Sequence, residues 1–253
     1  MPCTGARPGE LKPLVSTINA LLERIQRAIE RKRTFTGNAA HELKTPLTAV
    51  KTHIQVARLA GGGNETGTTL MHAEQGVRRL QSTIEQLLML ARVDSGQSFE
   101  GEPADNARAM AEMALQQMPA VQRGRILIRD LGTTGAQSVP PVLAVTALRN
   151  ILDNACRYSP AETDIVLTLS ESEGAARFRV DDEGPGMGED ERFKAMQRFW
   201  RKGRGQGSGL GLSIVAAISG RYGGSFELLP RADGGLTAQL AFSLALMDHA
   251  SAG

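Results

Sequence analysis

The stretch FTGNAAHELKTPLTAV, residues 35–50, sits where a helical pattern changes step, and its reading decides how the first third of the chain folds. Upstream, Leu11, Leu14, Ile18, Leu21, Ile25 and Ala28 recur in alternating steps of three and four, a heptad seam in which Lys32 is the one polar member. From Phe35 the seam runs through Ala39, Leu43 and Leu47 in steps of four, a stutter that locally unwinds a supercoil, before Val50 and Ile54 resume it. Pro46 falls inside the stutter. It has no N–H to give to the carbonyl of Glu42 and its ring crowds that carbonyl, at a usual cost of about 3 kcal/mol. His41 is rotated about 200° from the seam position Ala39, at 100° per residue, so it is expected to point away from the seam. An imidazole beside a carboxylate, on a helix loosened one turn later, is a candidate nucleophile.

Outward from this stretch, AGGGNETG (60–67) reads as a turn, and a second arm follows through Leu70, Ala73, Val77, Leu80, Ile84, Leu87 and Ala91, ending at VDSGQ (93–97). Two such arms make an antiparallel hairpin that buries little by itself, and pairing two hairpins into a four-helix bundle completes it. A homodimer is therefore expected. His53, His72 and His249 read as ordinary surface histidines, and the run Arg24, Arg27, Arg31, Lys32, Arg33 as a solvated face. The 253 residues suffice for about two domains. A net charge of +2 gives no reason to invoke nucleic acid or an acidic membrane. Cys3 and Cys156 form neither a metal-ligand spacing nor a disulfide framework. No apolar run reaches the roughly 18 residues that span a bilayer, and MPCTGARPGE lacks a signal-peptide core. As given, the chain is expected to be soluble and intracellular.

Past residue 97 the texture is α+β. Helices are expected over 104–118, 142–159 (entered after Pro140-Pro141), 189–199 and 211–224. Strands are expected at RILIRDL (125–131), DIVLTLSES, ARFRVDDE, SFELLP and LTAQLAFSL, as one antiparallel sheet covered by helices. Three clusters look chemical. Asn150 and Asn154 share a helix face and offer neutral carboxamide oxygens suited to Mg²⁺ that also takes phosphate oxygens. VDDEGPGMG (180–188) sets carboxylates beside glycines that let backbone approach a ligand, where a carboxylate can accept from an exocyclic amine such as that of adenine. RKGRGQGSGLGLSIV (201–215) runs glycines into an apolar helix, a phosphate site through free N–H groups and the helix dipole. It is neither a dinucleotide fingerprint nor a Walker loop.

In order and spacing these stretches resemble the boxes of bacterial two-component sensor histidine kinases. FTGNAAHELKTPLTAV resembles the phosphoacceptor box and LRNILDNACRYS the N box. DDEGPGM and GSGLGLSIV resemble the two glycine boxes, and QRFWRKG the end of the F box. ELKPLVSTINALLERI looks like the last helix of a HAMP relay. The resemblance implies residues 1–30 as a HAMP-like remnant, 31–96 as a dimerisation and histidine phosphotransfer domain, and 97–253 as a catalytic ATP-binding domain. The implied fold class is α plus α/β: an antiparallel helical hairpin forming a dimeric four-helix bundle, then a Bergerat-type α/β sandwich like that of gyrase and Hsp90.

The resemblance also implies roles. His41 would be the phosphorylated histidine, Glu42 the neighbour that orients it and helps remove its proton, and Thr45 the residue that positions water for dephosphorylating the partner. Asn150 and Asn154 would hold Mg²⁺ and phosphate, with Arg157 and Tyr158 lining the nucleotide. Asp182 would read the adenine amine, with Gly184 and Gly186 completing its box. Gly207, Gly209, Leu210 and Gly211 would form the phosphate-side loop. Met196 stands where the F box usually has its first aromatic residue. The implied activity is an ATP-dependent protein-histidine kinase that passes its phosphoryl group to an aspartate of a separate response-regulator receiver domain, and that also acts as its phosphatase. The implied cofactors are ATP and Mg²⁺. The implied place is the cytoplasm, with the intact protein anchored in the bacterial inner membrane by upstream segments. A dimeric ATP-gated interaction module without phosphohistidine is the alternative, and a coiled-coil scaffold with a degenerate nucleotide domain a third; the His41 box argues against the former, the asparagine, aspartate and glycine set against the latter.

Overall fold

The computed structural model describes residues 17, 21–23, 26, 37–40, 42–57, 64–95, 99, 106–133, 135, 138–202, 207–232 and 234–244, with backbone alone for 64–68. His41 and nearly all of the HAMP-like segment 1–30 lie outside the described residues. The chain divides into two compact units, Met1–Gln81 and Ser82–Gly253, so the division falls within one long helix.

The described residues of the first unit are helical. α1 covers 37–40 and 42–57, and α2 runs Asn64–Ser95, its first part in this unit. Helix continues through Pro46. The next turns carry side-chain bonds of their own: Thr48 Oγ1 donates to the Lys44 carbonyl at 2.8 Å and Thr52 Oγ1 to the Thr48 carbonyl at 3.0 Å. Such back-bonding is a common companion of helix bending. α2 starts earlier than expected: Asn64–Gly67 are helical rather than part of the turn. The arms touch where α2 has no side chain. A Cβ on Gly76 would lie 2.7 Å from Val50 Cγ2 and 3.7 Å from the Pro46 carbonyl oxygen.

The second unit carries the end of α2 and the sandwich. α3 (Ala107–Gln116) is capped by Asn106, whose Oδ1 accepts from the Ala109 amide at 3.0 Å. After the short α4 (Ala120–Arg123) and β1 (Ile126–Asp130) comes α5 (Pro141–Tyr158). Proline at the first turn pre-sets its φ. β2 (Ile165–Ser172) and β3 (Ala175–Asp181) form a hairpin whose turn residues Glu173 and Gly174 both have positive φ, the geometry that matches strand twist. α6 (Glu189–Ala195), α7 (Gly211–Arg221), β4 (Ser225–Pro230) and β5 (Leu236–Ser243) complete the unit.

The sheet order is β1-β2-β3-β5-β4. The expectation of an antiparallel sheet is corrected at one edge: β1 pairs with β2 in parallel, Ile126 opposite Ile165. Parallel neighbours need a crossover, and α5 supplies it. The other pairings are antiparallel. Ile165, Leu167 and Leu169 of β2 alternate into the core with Phe178 and Val180 of β3 and Leu240 and Phe242 of β5. Phe178 and Phe242 meet edge-on, centroids 6.4 Å apart. α5 packs against α3 and α7 and buries Leu143, Leu148, Ile151 and Leu152.

Candidate functional site

The site is built where α5, the end of β3 and the start of α7 meet. Asn150 Nδ2 donates to the Thr146 carbonyl one turn back at 2.8 Å, which turns Oδ1 toward Gly211. A Cβ on Gly211 would lie 2.9 Å from that oxygen, so glycine lets the start of α7 approach the carboxamide. Asn154 stands one turn further along, half-buried. Between them, burial pushes the Asp153 carboxyl up, opposed by Arg149 and Arg157.

Residues 207–210, just ahead of α7, are held by backbone contacts. Gly209 has φ +68, and a Cβ there would meet the Phe199 carbonyl carbon at 2.7 Å and the Trp200 oxygen at 2.8 Å. The Phe199 amide donates to the Gly209 carbonyl at 2.8 Å, with Phe199 itself at a positive φ. Arg201 Nη1 donates to the Gly207 carbonyl at 3.0 Å, and a side chain on Gly207 would run into Arg157 Nη1. Leu210 is fully buried and plugs the loop into the core, while its amide donates to Ser208 Oγ. Two further ties join this region to α2: Ser208 Oγ to Gln86 Oε1 at 2.5 Å, and Arg198 Nη2 to both Asp94 oxygens at 2.8 Å.

At the other end, Asp182 is buried with 8% of its surface exposed. Its Oδ1 accepts from the Gly184 amide at 2.8 Å and the Leu236 amide at 3.2 Å, while Oδ2 takes neither. Burial pushes this carboxyl above the ordinary value, opposed by those two amides and by Arg231. Gly184 is wedged in, since a Cβ there would sit 3.0 Å from Asp182 Oδ1 and 3.1 Å from the Tyr158 carbonyl oxygen. Gly186, at φ +65, lies against the Gly235 carbonyl. Next to them Tyr158, Ser159, Pro160, Glu183, Gly184 and Pro185 line an open cleft of about 490 Å³.

Thus Asn150 and Gly211, Arg157 and Gly207, and Tyr158, Asp182 and Gly184 come together as pairs and triplets within one unit. Glu42 is half-buried and Thr45 exposed, both on α1 of the other unit; His41 lies outside the described residues. Several supports had no signal in the motifs. Arg231 Nη1 donates to the Asp182 carbonyl at 2.6 Å, and Thr237, 2% exposed, bonds Asp181 Oδ1. Only the register of β5 against β3, with Thr237 opposite Asp181, places the latter.

Two family models match the chain. Residues 31–96 match the His Kinase A (phospho-acceptor) domain, and residues 140–246 match the histidine kinase-, DNA gyrase B- and HSP90-like ATPase. The chain belongs to the sensor histidine kinases. The sensor protein QseC of Salmonella typhimurium is 35% identical over 93% of this chain and 53% of that protein. The sensor protein kinase PmrB of Pseudomonas aeruginosa is 32% identical over 88% of this chain and 48% of that one. The chain thus spans about half the length of the curated relatives it matches. The Acinetobacter baumannii histidine kinase AdeS shares the fold, with a TM-score of 0.66, 21% identity, and coverage of 81% of this chain and 98% of that one. Among the described residues of this histidine kinase, no helix is long and apolar enough to cross a membrane.

Proposed function

We propose that this chain is the kinase portion of a two-component sensor, which transfers the γ-phosphoryl group of ATP to His41 and passes it to an aspartate of a separate receiver domain. The observation that carries the reading is the meeting of a carboxamide, a glycine-only helix start and a buried aspartate in one unit of a chain whose residues 31–96 match the phospho-acceptor domain. Asp182 Oδ2 accepts the adenine amine, a role that suits a carboxylate whose other oxygen is held by two amides. Tyr158 lines the base, and Arg157 stands where phosphate charge collects beside Gly207. The start of α7, with Gly207, Gly209 and Gly211, offers backbone N–H groups and a helix dipole to the phosphates, while Leu210, whose amide donates to Ser208 Oγ, anchors this segment in the core.

The donor set fits Mg²⁺: a neutral carboxamide oxygen held beside a phosphate-type helix start is what a hard ion with several retained waters takes. Asn154 and Asn150 would hold the ion, which supplies neutralisation of the phosphate charge. On α1, Glu42 holds the His41 imidazole and accepts its proton as the other ring nitrogen attacks in line. Thr45, three residues on and on the same side, orients water when the partner is dephosphorylated. Exposed Leu70, Val77 and Ile84, seven apart on α2, form the face that a second copy covers in a four-helix bundle. The chain acts in the cytoplasm, with the membrane reached only through segments upstream of it.

Incubation with γ-labelled ATP and Mg²⁺, wild type beside His41→Gln, tests this. Acid-labile, alkali-stable label that disappears in the variant is expected. Unlabelled protein that still binds ATP would favour the ATP-gated interaction module instead.

A further inference from the structure

Two histidines that read as ordinary surface residues face each other across the hairpin. The rings of His53 on α1 and His72 on α2 have centroids 5.3 Å apart, with planes at 56°. The backbone explains the meeting. At Gly76 the arms come close enough that an added methyl group would press on Val50 Cγ2 at 2.7 Å, with both Val50 and Ala73 buried. His53 lies one turn beyond Val50, and His72 one turn before Gly76. Because the arms run in opposite directions, both steps lead to the same level, and the rings arrive side by side. His72 is exposed and His53 half-exposed, so the pair is open to solvent.

We propose that His53 and His72 form a two-imidazole site for a divalent transition-metal ion of the nitrogen-preferring class, zinc, nickel or copper, bridging the two arms. Imidazole suits these ions. With metal–nitrogen bonds of about 2.0–2.1 Å and a tetrahedral angle, two imidazoles on one ion have ring centres about 5 Å apart, so the observed spacing asks for ring rotation and little translation. Among the described residues no group of three or more His, Cys, Asp or Glu side chains is gathered. Water therefore completes the coordination, and the site is a chelate on a formed hairpin rather than a structural zinc centre. An ion held by both rings ties α1 to α2 just beyond the Pro46 region. This is independent of the nucleotide chemistry.

The test is calorimetric titration of the untagged, full chain with Zn²⁺, repeated with Co²⁺ while visible absorption is followed for nitrogen ligation. One ion per chain is expected. His53→Gln and His72→Gln should each weaken binding by about tenfold or more, a loss that even outer-sphere changes at metal sites produce, and the double variant should bind no more weakly than either single variant. His41→Gln should bind as the wild type does. Gly76→Ala, which keeps both histidines but presses the arms apart at Val50, should also weaken binding. Unchanged affinity in the two single-histidine variants, binding that follows His41, or full affinity in Gly76→Ala would each overturn the proposal.

Discussion

The sandwich and the hairpin handle apolar surface in opposite ways. In the sandwich Phe178, Phe242, Leu143, Leu148, Leu167 and Leu169 are all but sealed from water within one chain. On the helical arms Leu47 is 57% exposed, Leu70 53%, Val77 40% and Ile84 41%, although the heptad pattern marks them as seam positions. One region is complete as a single copy. The other has a finished inner contact around Val50, Ala73 and Gly76 and an unfinished outer one. The same hydrophobic residue therefore means different things in the two places: folding of the domain in one, the proposed association in the other.

The strongest way to break the contrast is Phe178→Ala. Removing a fully buried ring costs about 3–5 kcal/mol. The sandwich should lose its melting transition while the proposed dimer, followed by sedimentation, persists; joint loss would mean the two regions are one cooperative body.

Asp182→Asn separates function from stability inside the sandwich. The amide keeps an acceptor for Gly184 and Leu236 but presents a donor to the adenine amine. Nucleotide affinity should fall on the order of a hundredfold, the loss of a hydrogen bond to a charged group plus an unpaired donor. Stability should not fall. Burial raises the folded carboxyl above its unfolded value, so the native state binds the extra proton. The cost of ionising Asp182 is thus absent below the unfolded value and fully present above the folded one, and stability declines as pH rises between them. A denaturation series should show that decline in the wild type and its loss in the variant.

Val77→Ser probes the open face. It should weaken self-association by about 1.5–3 kcal/mol per buried side chain while leaving the single chain's helicity nearly unchanged. Equal association in both proteins would remove the face from the dimer. Gly76→Ala acts on the finished contact instead, where overpacking costs about 1–3 kcal/mol, and should lower the melting temperature of the hairpin. The smallest effect is expected for Asp94→Ala. It severs a pair with Arg198 whose side chains are 47% and 36% exposed, so the loss in stability should stay below about 1 kcal/mol.

What could be read from the sequence follows the range of the interactions. α5 was legible because Pro141 and its apolar face are local signals, and the Asn150, Asp182 and glycine boxes because their spacing is. The start of α2 was misread because Gly67 resembles a breaker, yet one glycine inside a helix costs only about 1 kcal/mol, and Asn64 and Glu65 suit a helix start. The parallel pairing of β1 was not legible, since Ile126 and Ile165 meet only after α5 has packed. Arg231 and Thr237 reach the site through strand register, and the two histidines through the approach of the arms at Gly76; neither leaves a pattern along the chain.

The strand order also sets a timetable. β3 is the middle strand, but one of its neighbours, β5, is synthesised after every other strand of the sheet, ending at Ser243. Until then the growing sheet holds β1, β2 and β3 with one side of β3 open, and Phe178 waits for Phe242. While the chain is still being made, the helical arms can already form and seek their counterparts, but the nucleotide domain cannot close. On the proposed function, a nascent chain therefore reaches assembly before it reaches ATP.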